Sequence, residues 1–267
     1  MRQLDRVIGS VTRKIARKLA AGETVPREVT ATVVRQLLGQ PSVVPEAILE
    51  QDEIGVATGM YYSSTGGDIM FVEASMRRLS TPARSDGEPE NGLGSVSLIL
   101  TGQLGDVMKE SARAALTYAT TRAGDLGIPS ECLGSVEAHI HVPTGAVPKD
   151  DPSAGVTIAT ALASAMSRRP VRRDVAMTGE ITLRGRVLLI GGIKEKVLGA
   201  HRAGVRRVIL PKKNQPALED VPEEVKRELE FVFVDTLDDV LESALLPEAT
   251  KRAAPKQAEL PSNGARG

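Results

Sequence analysis

Residues 139–167 read HIHVPTGAVPKDDPSAGVTIATALASAMS. Alternating side chains predict a strand over Val136–Val142, with His139, His141 and their alternates on one face. Pro143, Pro148 and Pro152 interrupt regular structure after it. An Ala-rich run then predicts a helix over Ala154–Arg168, with Ser153 at its mouth. Strand, constrained turn and helix together make one α/β step. Upstream, strands are predicted at Ile54–Thr58 and Asp68–Glu73 around a Ser/Thr/Gly turn (Ser63–Gly67), then a strand at Val96–Leu100 and a helix at Val107–Arg122. Downstream come strands at Val175–Thr178 and Arg186–Ile190, a helix from Ile193 to Ala203 and a strand at Arg207–Leu210. A helix at Pro222–Leu229, a strand at Phe231–Val234 and a helix at Leu237–Ala244 follow. This order predicts an α/β (α+β) fold: mixed sheet with covering helices.

The first forty residues differ. Leu4, Ile8, Val11, Ile15 and Leu19 form one apolar stripe of a helix over 2–20. Arg2, Arg6, Arg13, Lys14, Arg17 and Lys18 occupy its other faces against a single acid, Asp5. A second helix is expected over 27–38. The expected organisation is a short all-α fragment at 1–40, a Pro-containing linker at 41–50, an α/β domain at 51–246 and a disordered tail at 247–267.

Composition narrows the function. The 267 residues are 41% apolar, enough for a real core, and carry 34 basic and 34 acidic side chains. Zero net charge argues against a surface devoted to polyanions. Aromatic residues make up 2%, with no Trp, so stacking platforms for bases or sugars are poorly supplied. The one cysteine, Cys132, excludes an internal disulfide and a multi-cysteine metal site, and reads best as a structural thiol. No apolar run approaches the roughly 20 residues of a membrane helix, and no signal peptide is visible. The expected compartment is the cytoplasm. No G-x-x-x-x-G-K-[ST] occurs, so no P-loop is present.

Ser153 stands where free backbone N–H groups gather and the helix dipole favours negative charge. That suits a nucleophile whose product oxyanion needs donors. It also suits an ordinary N-cap serine. Two kinds of base are available. His139 and His141 share a strand face, where they are bases, weak metal ligands or packed residues. Lys196, after Gly191-Gly192, lies about 60° from Ile193 and about 40° from Ala200 on a helix, at the border of the apolar face. Burial there would lower its pKa and make it a usable base. Lys194 lies on another flank, and periodicity does not choose between the two lysines.

Longer motifs go further. Pro148-Lys149-Asp150-Asp151-Pro152-Ser153-Ala154-Gly155 resembles the nucleophile motif of the A-type Lon proteases. Thr178-Gly179-Glu180-Ile181-Thr182-Leu183-Arg184-Gly185-Arg186-Val187 and Ile190-Gly191-Gly192-Ile193-Lys194-Glu195-Lys196 are similar to that family too. So are His139–Pro143 and the run from Leu98 to Ser111. The likeness spans residues 51–246 in consistent order. It implies the Lon proteolytic-domain fold and a Ser–Lys dyad of Ser153 and Lys196, with Thr178 positioning the amine. It further implies a hexameric ring and unfolded, damaged or regulatory protein substrates. The first forty residues resemble the last helices of an ATPase module, whose ATP and Mg site this chain lacks. The chain therefore resembles a C-terminal fragment that needs no cofactor and cleaves without ATP. Departures are Asp151 for a usual Gly, Leu189 for Pro, Thr144 for Glu, Tyr61–Thr65 for a Trp-containing segment, and a longer loop at 80–94. A carboxylate at Asp151 favours the charged form of a nearby lysine. The competing expectation is a non-catalytic assembly module whose basic first helix binds a partner or DNA.

Overall fold

A computed structural model describes residues 2–39, 47–63, 66–79, 96–102, 104–134, 136–143 and 152–247. The loop expected at 80–94, Thr144, Asp151 and all but the first residue of the expected tail lie outside the described residues, as does most of the expected linker. The chain divides into two compact units, 1–45 and 46–267.

In the first unit, α1 (Arg2–Ala20) pairs with α2 (Ala31–Leu38). Thr30 caps α2 by accepting the Val33 N–H, and Lys14 Nζ donates to the Leu37 carbonyl at 2.6 Å. The predicted start at residue 27 is early by four positions, because Thr30 supplies the cap and the helix begins at Ala31. Of the predicted stripe, Val11 is buried, while Leu4, Ile8 and Leu19 are exposed. Two short helices have too little facing surface to cover a full apolar face.

The second unit is built on a seven-stranded mixed sheet. Its strands are β1 (Val56–Ser63), β2 (Gly66–Arg78), β3 (Val96–Thr101), β4 (Val136–His141), β5 (Val175–Met177), β8 (Arg207–Pro211) and β9 (Glu230–Val234). The spatial order is β3-β4-β2-β1-β5-β8-β9. β2 pairs antiparallel with both β1 and β4, and the other pairings are parallel. A separate two-stranded hairpin joins β6 (Glu180–Ile181) to β7 (Val187–Leu188).

Alternation along the strands feeds two cores, as the pleat requires. Ala57, Met70, Val72, Met177 and Ile209 face α3 (Asp106–Thr121), α4 (Gly155–Ser167) and α7 (Leu237–Ala244). Met60, Ile69, Ala176, Val208 and Leu210 face α5 (Ile193–Ala203) and α6 (Glu223–Glu228). Each such fully buried Met, Val, Ile or Leu side chain contributes about 1.5–3 kcal/mol of transfer free energy. α4 is apolar or small all round and almost wholly buried, between the sheet and α3. Its C-terminus closes on Arg168 in the left-handed region, at φ 57°.

The hairpin β6–β7 is braced from α3. A Cβ on Gly185, at the hairpin turn with φ 76°, would lie 2.2 Å from the Tyr118 ring. The Tyr118 hydroxyl donates to Asp238 at 2.6 Å, and burial together with that carboxylate pushes its pKa far up. Among the described residues no helix is long and apolar enough to cross a membrane.

Candidate active site

Ser153 sits in a single 3-10 turn, Pro152–Ala154, that runs straight into α4. The N-cap position belongs to Ala154, in a helical conformation and with no side-chain cap bond. The Ser153 hydroxyl therefore does not serve as the N-cap of α4. Its main chain is stitched to the segment after β5: the Ser153 carbonyl accepts the Gly179 N–H at 2.7 Å and the Thr178 hydroxyl at 3.2 Å. The Val156 N–H donates to the Gly179 carbonyl at 3.0 Å. The Ser153 backbone is thus held by the chain leaving the C-terminal end of a parallel strand, where open α/β sheets gather functional groups.

Lys196 arrives from the opposite core. α5 begins after Gly192, whose φ of 69° favours glycine. The first helical bond of α5 runs from the Lys196 N–H to the Gly192 carbonyl at 3.0 Å. α5 lies unusually close to the start of β2: a Cβ on Gly67 would fall 1.8 Å from the Glu195 carbonyl oxygen. A Cβ on Gly199 would fall 2.5 Å from the Asp68 amide nitrogen. The Arg202 guanidinium donates to the Gly67 carbonyl and clips the same contact. Gly67, predicted as a turn glycine, is instead the strand residue that allows this approach, because the turn closes one residue earlier at the Ser63–Gly66 pair.

These two placements bring Lys196 Nζ to 2.5 Å from Ser153 Oγ, as donor, with Lys196 0% and Ser153 1% exposed. Nζ also donates to Thr178 Oγ1 at 3.3 Å. The Tyr62 ring centroid lies 5.7 Å from Nζ. Every one of these three side chains, Ser153, Thr178 and Lys196, is buried. A desolvated amine of this kind disfavours its charged form.

The other sequence candidates lie apart from this cluster. Lys194 is exposed. His139 Nε2 and His141 Nδ1 both hydrogen-bond to Thr101 Oγ1, at 2.9 and 2.7 Å, on the β3–β4 face. His201 pairs with Glu228 at 2.7 Å. Cys132 is a half-buried free thiol. Among the described residues no group of three His, Cys, Asp or Glu side chains could hold a metal ion. Tyr62, which borders this cluster, and Asn214, which pairs with the main chain of Ile190 ahead of α5, were not singled out from the sequence as individual site residues.

Comparison with known proteins matches residues 28–247 to the family described as the Lon protease (S16) C-terminal proteolytic domain. This chain belongs to that family. The resemblance drawn from the motifs and the expected fold class both hold. Lon protease 1 of Sorangium cellulosum is 54% identical over 96% of this chain and 30% of its own length. Lon protease 2 of Thermus thermophilus is 52% identical over 92% of the chain and 29% of its own. Lon protease of Roseiflexus castenholzii is 50% identical over 93% and 29%. The chain spans about three tenths of the length of the curated Lon relatives it matches. At the level of the family, Lon is a serine-type peptidase, a hydrolase acting on protein. Ser153, Thr178 and Lys196 all fall inside the matched Lon region.

Proposed function

We propose that this Lon domain is a serine endopeptidase whose nucleophile is Ser153 and whose general base is Lys196. The observation that carries the reading is the 2.5 Å contact between two fully buried groups, an amine and a hydroxyl, at the mouth of α4. In its neutral form the amine takes the Ser153 Oγ proton as Oγ attacks the scissile carbonyl. The carbonyl's π electrons move to oxygen, where backbone N–H groups at the start of α4 stabilise the charge. Collapse of the tetrahedral adduct breaks the C–N bond, and the lysine ammonium returns its proton to the leaving amine. Water, activated by the same amine, then hydrolyses the ester and restores Ser153. Thr178 orients the amine through its hydroxyl.

Lysine replaces histidine here for a dielectric reason. An exposed amine is charged at neutral pH and holds no free electron pair, whereas a buried one can reach the neutral state. The substrates we propose are unfolded, damaged or regulatory proteins, cleaved by this chain without ATP in the cytoplasm. Coupling to ATP and Mg, and a hexameric ring, are proposed for the longer relatives and follow from family likeness. The test is degradation of a casein-like unfolded protein with Ser153→Ala alongside, together with capture of Ser153 by a peptide boronate. Cleavage that survives Ser153→Ala overturns the assignment. Absence of both cleavage and capture, with salt-dependent DNA binding by residues 1–40, would favour the interaction-module reading.

A further inference from the structure

We infer that Asn214 is a positioning residue for the Lys196 amine; the inference rests on the Ser–Lys reading above. Asn214 lies in the 3-10 segment Lys212–Asp220 that follows β8, and it is the one buried residue of that segment. Its side chain is 4% exposed and makes two hydrogen bonds, both to the main chain of Ile190. Oδ1 accepts the Ile190 N–H at 3.0 Å, and Nδ2 donates to the Ile190 carbonyl at 2.7 Å. A carboxamide thus pairs with one residue's peptide groups as a neighbouring strand would.

The location gives this pairing its consequence. After Ile190 come Gly191 and Gly192, a pair with the greatest backbone freedom available. Gly192 then accepts the Lys196 N–H. The path from Asn214 to the amine is therefore Ile190, the glycine pair, and one helical hydrogen bond. The far side of α5 is fixed by the Gly67–Gly199 contact and by Arg202. Asn214 supplies the corresponding anchor on the near side, before the helix starts. Without it, the glycine pair lets the first turn of α5 swing, and Lys196 Nζ leaves Ser153 Oγ. The pairing needs one acceptor and one donor side by side in a plane, which asparagine provides and aliphatic side chains do not. Asn214 touches neither reacting atom, so its effect passes through Lys196.

Two variants and two readouts test this. Asn214→Ala removes both bonds, and Asn214→Asp keeps the shape and the acceptor but loses the donor at neutral pH. Folding is checked by circular dichroism. The first readout is cleavage of a fluorogenic peptide across pH. A misplacement of about 1 Å costs on the order of 100-fold, so kcat is expected to fall roughly 10- to 100-fold, with KM nearly unchanged. The ascending limb of the pH profile is expected to move to higher pH as the amine gains solvent. The second readout needs no activity: reductive methylation of Lys196, followed by mass spectrometry, is expected to accelerate in both variants while Lys226 labels as before. Folded variants with unchanged kcat, pH limb and Lys196 labelling would overturn the inference, as would collapse of both variants, which would make Asn214 a folding residue only. If the parent chain does not cleave but Lys196 labelling responds to Asn214, the peptidase reading fails and the positioning role stands.

Discussion

Gly67 and Gly199 face each other across the β2–α5 contact with no room for a methyl group on either. Adding one forces backbone apart, because the nearest atoms are main-chain carbonyl and amide rather than movable side-chain ends. Gly199→Ala is expected to destabilise the domain by about 1–3 kcal/mol. It should also lift Lys196 from Ser153, so cleavage should fall further than stability alone explains. Peptide turnover measured well below the melting temperature separates the two effects.

Lys196 is the titrating group of the proposed reaction, and its neutral form is the competent one. kcat/KM should therefore rise with pH and level off once the amine is neutral, since burial disfavours the charged form of an amine. Lys196→Met should keep the fold, since the replacement is unbranched and apolar, and should abolish cleavage. Lys196→Arg should also be inactive, because a guanidinium does not deprotonate. A pH-independent rate would count against a lysine base.

Thr178 contributes two hydrogen bonds, to Lys196 Nζ and to the Ser153 carbonyl. Thr178→Val keeps the volume and removes both. At about 1 kcal/mol for each bond, a drop in kcat of roughly 30-fold is expected. Steady-state kinetics with a short peptide measure it, and KM should change little.

His139 and His141 share Thr101 on the β3–β4 face and stand outside the proposed machinery. His141→Ala should retain peptide cleavage. Loss of activity in that variant, with Lys196→Met still active, would reinstate a Ser–His reading.

The last helix carries its own acid sensitivity. Thr236 caps α7 by accepting the Asp239 N–H, and the Asp239 carboxylate accepts in return from Thr236. The Thr236 hydroxyl bond, followed by backbone N–H bonds from Thr236 and Asp235, holds the Asp239 pKa below its ordinary value. A lowered folded pKa means that this contribution to stability is complete above the unfolded value, about 3.9, and is lost as pH falls through the folded one. Thr236→Ala should cost about 1 kcal/mol at neutral pH, and less in acid. Thermal melts at neutral and acidic pH give the comparison.

Much of the fold could be read from periodicity. α1, α5 and α7 begin and end where their apolar spacing places them. The β6–β7 hairpin is half legible: the strand predicted at Arg186–Ile190 contains β7, though longer than it, whereas the two residues of β6 carry no alternation and Glu180–Ile181 stands out only within a motif. In the site, Ser153 was visible from its place at a helix mouth. Lys196 was not separable from Lys194 on helical geometry, because its burial comes from how closely α5 approaches Gly67, a contact between residues far apart in sequence. Family motifs made that choice. Asn214 sits in a polar stretch, KKNQ, and nothing local distinguishes a carboxamide that pairs inward from one that meets water.

The oxygen and the nitrogen of the proposed reaction come from the mouth of α4 and from α5, which pack on opposite faces of one sheet. Catalysis thus depends on how two separately cohesive slabs are aligned, and a slide of about an ångström would silence the enzyme without melting either slab. On gradual heating or in mild denaturant, peptide hydrolysis should fade before the far-ultraviolet signal does.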